Sequence, residues 1–283
     1  DQGTVEFHVI GTTAGGPAVV KFVPSSSDVR FSGTISTGGG DDVVIAATQT
    51  PNVFIVHGVI PPGVEEKFWV PVHGIPKYAG DVLDRMLRDR GVSLVTPPKV
   101  ARAPLTAPAL WNHSSPPLHA LIKRMLYESN NHFAEQILDT IGGIEGSGRT
   151  RDGLAEERKL LAGAGVPMPG LHVVDGSGLA HANRVATITL ASVLVDAERR
   201  GGANRLYYLL PEGGRQGTLR HYDFTSALGR VRAKSGHLDG VSALAGYVNT
   251  RRHGRIVFAF AIDGSPGDPD GAIVRAVDRL SVM

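Results

Sequence analysis

Leu228-Gly229-Arg230-Val231-Arg232-Ala233-Lys234-Ser235-Gly236, followed by Val241–Asn249 and Ile256–Ile262, is the stretch that decides the fold. Leu228–Ala233 reads as a strand that leads into Lys234-Ser235-Gly236. The next two runs are rich in Val, Ile, Phe and Tyr, and the last is the unbroken apolar series Ile-Val-Phe-Ala-Phe-Ala-Ile. The polar segment Thr250–Gly254 between them has the composition of a hairpin loop. Ala272–Leu280 then returns to helical spacing. Three antiparallel strands with a covering helix behind a helical region make an α+β fold.

Working back toward the N-terminus, apolar positions recur at helical intervals. Tyr78, Val82, Leu83, Met86 and Leu87 mark a helix over Lys77–Gly91, with Gly91 as its stop. Thr96-Pro97-Pro98 to Pro108 reads as a loop or linker. Leu118, Leu121, Ile122, Met125 and Leu126 form a second stripe, for which Ser115 is the expected N-cap. Phe133, Ile137, Leu138 and Ile141 form a third, closed by Gly142-Gly143. Gly153–Gly163 and Thr187–Arg200 are further helices. Before residue 70 the pattern is different: Val5–Ile10, Ala18–Val23, Val29–Ser36, Asp42–Ala47, Asn52–Ile60 and Glu66–Val72 are short strands separated by Gly and Pro clusters, as in a small sheet domain or half-barrel. The expected division is a β-rich portion over 1–69 and an α+β portion over 70–283.

Composition narrows the function. Of 283 residues, 42% are hydrophobic and 20% charged, which is ordinary for a globular protein. Lys and Arg number 29 against 27 Asp and Glu, so there is no basic footprint for nucleic acid. No apolar run reaches the length that spans a bilayer. The absence of cysteine removes disulfides, thiolate metal sites and cysteine nucleophiles. His113, His119 and His132 lack the spacing that holds a zinc ion, and no metal or other cofactor is expected. G-x-S-x-G and G-x-x-x-x-G-K-[ST] are both absent, which argues against an α/β-hydrolase elbow and a nucleotide site. Gly38-Gly39-Gly40-Asp41-Asp42 reads as a hairpin turn, and Arg199-Arg200 and Arg251-Arg252 as solvated faces.

Two clusters can carry chemistry. Tyr127-Glu128-Ser129-Asn130-Asn131-His132 lies between two helical stripes, where Ser129 and Asn131 can point into one cleft. Lys234-Ser235-Gly236-His237 lies at a strand start, where a fixed positive charge and a hydroxyl can hold a carboxylate and Gly236 leaves room for a substrate backbone. Each also has an ordinary reading, as a helix-joining turn and a strand-start lysine. Asp175-Gly176-Ser177-Gly178 is a turn first.

Their order is more specific. Ser129-Asn130-Asn131 fits an S-x-N box, and Lys234-Ser235-Gly236 fits a K-[ST]-G box downstream of it. With them, in order, stand His113-Ser114-Ser115-Pro116-Pro117-Leu118, Glu128–Glu135, Val174-Asp175-Gly176-Ser177-Gly178-Leu179, Asn183-Arg184-Val185, Gly217-Thr218-Leu219-Arg220 and Arg230–Gly236. This set resembles the D-alanyl-D-alanine carboxypeptidase/endopeptidase family typified by penicillin-binding protein 4, the class C low-molecular-mass group or peptidase family S13. The resemblance is strong over roughly residues 70–283 and looser over 1–70, where that family carries a β-rich inserted domain.

The resemblance implies a serine β-lactamase/DD-transpeptidase-like domain and acyl transfer through an acyl-enzyme, with peptidoglycan stem peptides as substrate and β-lactams as inhibitors if a nucleophile is present. It gives Ser129 the relay of the leaving-group proton, Asn131 the positioning of the substrate amide, and Lys234 and Ser235 the terminal carboxylate. A strand N–H completes the oxyanion hole, Gly236 lets the substrate backbone lie along the strand edge, and Asp175 lies near the cleft. His237 stands where the family more often has a small polar residue. The family's S-x-x-K nucleophile box is absent: the residues three before Lys21, Lys67, Lys77, Lys99, Lys123, Lys159 and Lys234 are Ala18, Val64, Gly74, Thr96, Ala120, Glu156 and Val231. The expectation is that this box and part of the core precede Asp1, so the chain alone turns over little or nothing. The competing expectation is a truncated, non-catalytic homologue that binds peptidoglycan or a protein partner. Either way, the family's place is periplasmic or cell-wall associated.

Overall fold

The computed structural model describes residues 3–102, 104, 106–109, 111–200, 205–264 and 267–283. The chain divides into two compact units, Asp1–Asn112 and His113–Met283.

The first unit holds strands β1 (Thr4–Ile10), β2 (Val19–Val23), β3 (Arg30–Thr37), β4 (Asp42–Ala47), β5 (Val53–Ile60) and β6 (Glu65–Pro71), then helix α1 (Ile75–Arg88). They form two three-stranded sheets, ordered β2-β1-β6 and β3-β5-β4. Alternation along β1 buries Val5, Phe7 and Val9 while Glu6 and His8 face outward and pair with each other at 2.9 Å. Phe54 meets Phe7 edge-on at 5.4 Å, and Ile35, Val56, Ile60 and Tyr78 complete one core. All six strands stand within two residues of where the sequence places them. The parallel pairing of β3 with β5 has no local signature and is a tertiary result.

The second unit begins with α2 (Leu118–Glu128), α3 (Asn131–Glu145), α4 (Thr150–Gly163), α5 (Thr187–Arg200) and the short α6 (Arg205–Leu209). A 3-10 turn at Gly217–His221 leads to β7 (Val231–Leu238), β8 (Val241–Asn249), β9 (Arg255–Asp263) and α7 (Pro269–Val282). The sheet is antiparallel, ordered β7-β8-β9, so β7 is an edge strand. The α+β architecture expected from the sequence is the one observed.

Three local expectations are corrected. Ser115 does not cap α2: the N-cap is Pro117, and the Ser115 hydroxyl donates to the Pro116 carbonyl at 3.0 Å. Gly142-Gly143 does not end α3, which runs on to Glu145. A Cβ on Gly142 would stand 2.5 Å from the Gly153 nitrogen of α4, so this glycine allows two helices to touch backbone to backbone. The first C-terminal strand covers Val231–Leu238 rather than Leu228–Ala233, which puts Lys234-Ser235-Gly236 in mid-strand. The reason is the Asp239-Gly240 turn: Leu238 pairs with Val241, and Gly240 supplies the positive φ of 78° that a two-residue hairpin needs.

Candidate active site

The Ser129 turn is built by two helix ends meeting. Ser129 is the C-cap of α2, with φ 52° and ψ 49°, and its N–H donates to the Met125 carbonyl. That left-handed conformation is uncommon for a residue with a side chain and costs on the order of 1 kcal/mol. Asn130 then caps α3: its side-chain oxygen accepts from the Phe133 N–H at 2.9 Å. Asn131 is the first residue of α3 and is exposed. Backbone strain is therefore held at the serine by caps on either side of it.

Strand alternation sorts β7 into two faces. Val231 and Ala233 point into the core shared with Leu219, Phe224, Leu244, Phe258 and the α7 residues Ile273, Val274 and Val277. Ser235, buried, and His237, exposed, continue that face. Arg232 and Lys234 lie on the other. There, the Arg232 guanidinium sits 5.3 Å from the Tyr207 ring, and Ala245, the cross-strand partner of Lys234, joins a cluster with Tyr207, Leu210, Tyr247 and Leu126 of α2. Helices α5 and α6 pack on this side of the sheet, and α2 reaches the same cluster through Leu126. The Lys234 ammonium donates to the Ser235 carbonyl, and burial holds its pKa below the usual lysine range.

One segment touches both clusters. The Tyr127 hydroxyl, two residues before Ser129, donates to the Gln216 side chain at 2.7 Å. Two residues beyond Gln216, the Thr218 hydroxyl lies 3.1 Å from that of Ser235. Further along, the Tyr222 hydroxyl is 3.2 Å from His237 Nε2. Burial first, and the charge of Asp270 second, push the Tyr222 phenol up to about 12, so it stays un-ionised. His237 Nε2 lies 3.0 Å from an Asp270 carboxylate oxygen on α7.

Asp175 spends its oxygens on its own loop. They accept from the Gly178 N–H at 2.8 Å, the Ala180 N–H at 2.7 Å and the Asn183 amide at 2.8 Å. Burial raises this carboxyl, but those hydrogen bonds outweigh it and hold the pKa below the ordinary range. The loop is tied to α3 because Glu135 accepts from the Gly176 N–H at 3.0 Å and the Ser177 N–H at 2.9 Å.

Chemically, the arrangement offers a partly desolvated ammonium, a buried hydroxyl and an open strand edge, next to a serine held on a strained turn. It suits an extended peptide ending in a carboxylate. Among the described residues, no three His, Asp or Glu side chains gather as a metal site, and no helix is long and apolar enough to cross a membrane. Sequence reasoning gave no role to Glu135, Gln216, Thr218, Tyr222 or Asp270. Thr218 sits in the quoted Gly217-Thr218-Leu219-Arg220 motif and could have been found there; Tyr222 and Asp270 carry no local signal.

Known proteins were compared with the chain. The D-alanyl-D-alanine carboxypeptidase of an Actinomadura species is 28% identical over 291 residues, covering 98% of this chain and 54% of that protein. The carboxypeptidase DacB of Mycolicibacterium smegmatis is 34% identical over 177 residues, covering 60% of this chain and 38% of that protein. The chain thus spans about half the length, or less, of these curated relatives. The crystal structure of penicillin binding protein 4 (dacB) from Haemophilus influenzae, complexed with a novel β-lactam, superposes with a TM-score of 0.77 at 22% identity, over 99% of this chain and 68% of that one. The D-Ala-D-Ala carboxypeptidase 3 (S13) family matches residues 1–281, which is nearly the whole sequence, and the chain belongs to that family.

Proposed function

We propose that this chain carries the substrate-binding and proton-relay part of a serine-type D-Ala-D-Ala carboxypeptidase/endopeptidase that acts on peptidoglycan stem peptides through an acyl-enzyme. The observation that supports this most is that the 216–222 segment bonds to both clusters: Gln216 accepts from Tyr127, two residues before Ser129, and the Thr218 hydroxyl lies 3.1 Å from that of Ser235, while Leu126 of α2 and Ala245, the partner of Lys234, join one cluster. Lys234 and Ser235 receive the terminal carboxylate. The peptide lies along the free edge of β7 beside Gly236, where backbone N–H groups stabilise the developing oxyanion. Ser129 passes a proton to the leaving amine, and Asn131 orients the scissile amide. Asp175 acts through the loop it orders.

The attacking serine lies outside these 283 residues, because no serine here stands three before a lysine. Residues 1–69, with α1 packed on their core through Tyr78, are then part of the β-rich inserted domain, and the unit His113–Met283 is part of the DD-peptidase domain. β-Lactams bind by acylating the same site, and the reaction takes place in the periplasm or cell wall, where its substrate is.

The test is an intact-mass spectrum with and without benzylpenicillin, run on this chain and on the product of its full coding sequence. A penicillin-sized increment on the full product alone is the expected result. An increment on this chain would place the nucleophile among its own serines and overturn the roles of Ser129 and Ser235. No increment on either would overturn the acyl-enzyme reading.

A further inference from the structure

His237 and Asp270 form a pair at the α7 end of β7, next to the carboxylate site. The two lie at 3.0 Å, with side chains 47% and 43% exposed, so solvent and substrate reach both. A carboxylate only accepts, so the contact with Asp270 holds a proton on His237 Nε2. Ser235 is the previous residue on the same face of the strand, about 7 Å away by strand geometry. The other groups on the imidazole's face are Ser235 on its own strand, Ser242 opposite it on β8, Tyr222 from the segment after the 3-10 turn, and Asp270 on α7, while Lys234 points to the other face. Asp268 caps α7 and pairs with Arg275 at 3.5 Å, while Asp223 and Asp239 are chain neighbours of Tyr222 and Leu238.

We propose that His237, anchored by Asp270, sets the site's preference for an anionic substrate terminus. This rests on the reading of Lys234 and Ser235 as the carboxylate subsite. With the imidazole protonated the pair is neutral, and its ring adds a second donor beside Ser235. With the imidazole neutral, the pair carries one negative charge facing the substrate carboxylate. Affinity for a carboxylate terminus therefore falls as pH rises, and affinity for an uncharged terminus does not follow it. The size expected for one partly exposed charge at this range is about three- to tenfold.

The test is calorimetric or NMR titration of the folded chain with N-acetyl-D-Ala-D-Ala and with its C-terminal amide, from pH 5.5 to 8. The native protein should bind the acid about three- to tenfold less tightly at pH 8, with no such slope for the amide. His237→Gln keeps a hydrogen bond to Asp270 but no titratable ring, so it should bind the acid weakly at every pH. Asp270→Asn should tighten binding of the acid most at pH 8. Both variants retain Lys234, so any slope they share with an unchanged background belongs to that lysine. Superimposable profiles for native protein and His237→Gln, or an equal slope for the amide, would overturn the proposal while leaving the carboxylate subsite intact. The subsite reading is tested separately by Lys234→Met: acid binding equal to native would overturn that reading, and this proposal with it.

Discussion

The Tyr127 phenol and the Gln216 side chain are joined by a 2.7 Å hydrogen bond across 89 positions of sequence. It ties the end of α2 to the segment that lies against β7. The same Gln216 oxygen accepts from the Glu212 N–H at 3.3 Å. Tyr127→Phe removes one donor and should cost about 1 kcal/mol of stability, whereas Gln216→Leu strands two donors and should cost about 2 kcal/mol. Urea denaturation gives both values, and peptide titration should show weaker binding in the two variants. Equal costs would mean that the Glu212 contact contributes nothing.

Ser129 occupies a conformation that glycine adopts freely. Ser129→Ala keeps the strain and loses the hydroxyl, while Ser129→Gly loses both. The glycine variant should be the more stable of the two by about 1 kcal/mol, and both should lose the proton relay. Thermal unfolding of the pair checks this; an alanine variant as stable as the glycine variant would remove the case for strain at the turn.

Gly142 and Gly143 are neighbours with opposite tolerances. A Cβ on Gly142 would meet the Gly153 nitrogen at 2.5 Å, whereas on Gly143 its nearest neighbour is at 3.7 Å. Gly142→Ala should destabilise by about 1–3 kcal/mol because α3 and α4 must separate. Gly143→Ala should be neutral or stabilising by up to about 1 kcal/mol through helix propensity. Chemical denaturation of the two single variants is sufficient.

Lys234 binds its proton less tightly in the folded chain than in the unfolded one, because burial disfavours the charge. The folded state therefore holds fewer protons in the interval between its lowered value and the ordinary lysine range, and stability rises with pH across that interval. Lys234→Met should abolish this alkaline rise, keep stability at pH 7 within about 1 kcal/mol of native, and weaken acid-peptide binding more than tenfold. Melting temperatures from pH 7 to 10 decide the first point.

Asp175 has the opposite sign. Its folded-state pKa is lowered, so its contribution is present above the unfolded carboxyl value and is lost as pH falls through the folded one. Asp175→Ala should cost about 2 kcal/mol at pH 7, and the gap to native should close as pH falls below the ordinary carboxyl range. A gap independent of pH would show that packing, not the ionised hydrogen bonds, orders the 175–183 loop.

Local pattern carried most of the fold. The period-2 alternation of β1, the apolar run of β9, the 3.6-residue stripes of α2 and α3, and the Thr250–Gly254 hairpin loop are written in neighbouring residues, because a face is buried or solvated at intervals that the backbone itself sets. The two boxes were legible for the same reason: Ser129-x-Asn131 and Lys234-Ser235-Gly236 are short and local. The rest required residues far apart to meet. Nothing near Thr218 announces Ser235, nothing near His237 announces Asp270, and Gly142 reads as a stop until Gly153 is seen against it. Sequence alone singled out the candidate residues Ser129, Asn131, Lys234 and Ser235 and the kind of element on which each stands. Only the tertiary structure decided which face of β7 Lys234 occupies, what lies over it and which charge stands near Ser235, because these depend on long-range packing of α5, α6, the 216–222 segment and α7 against one sheet.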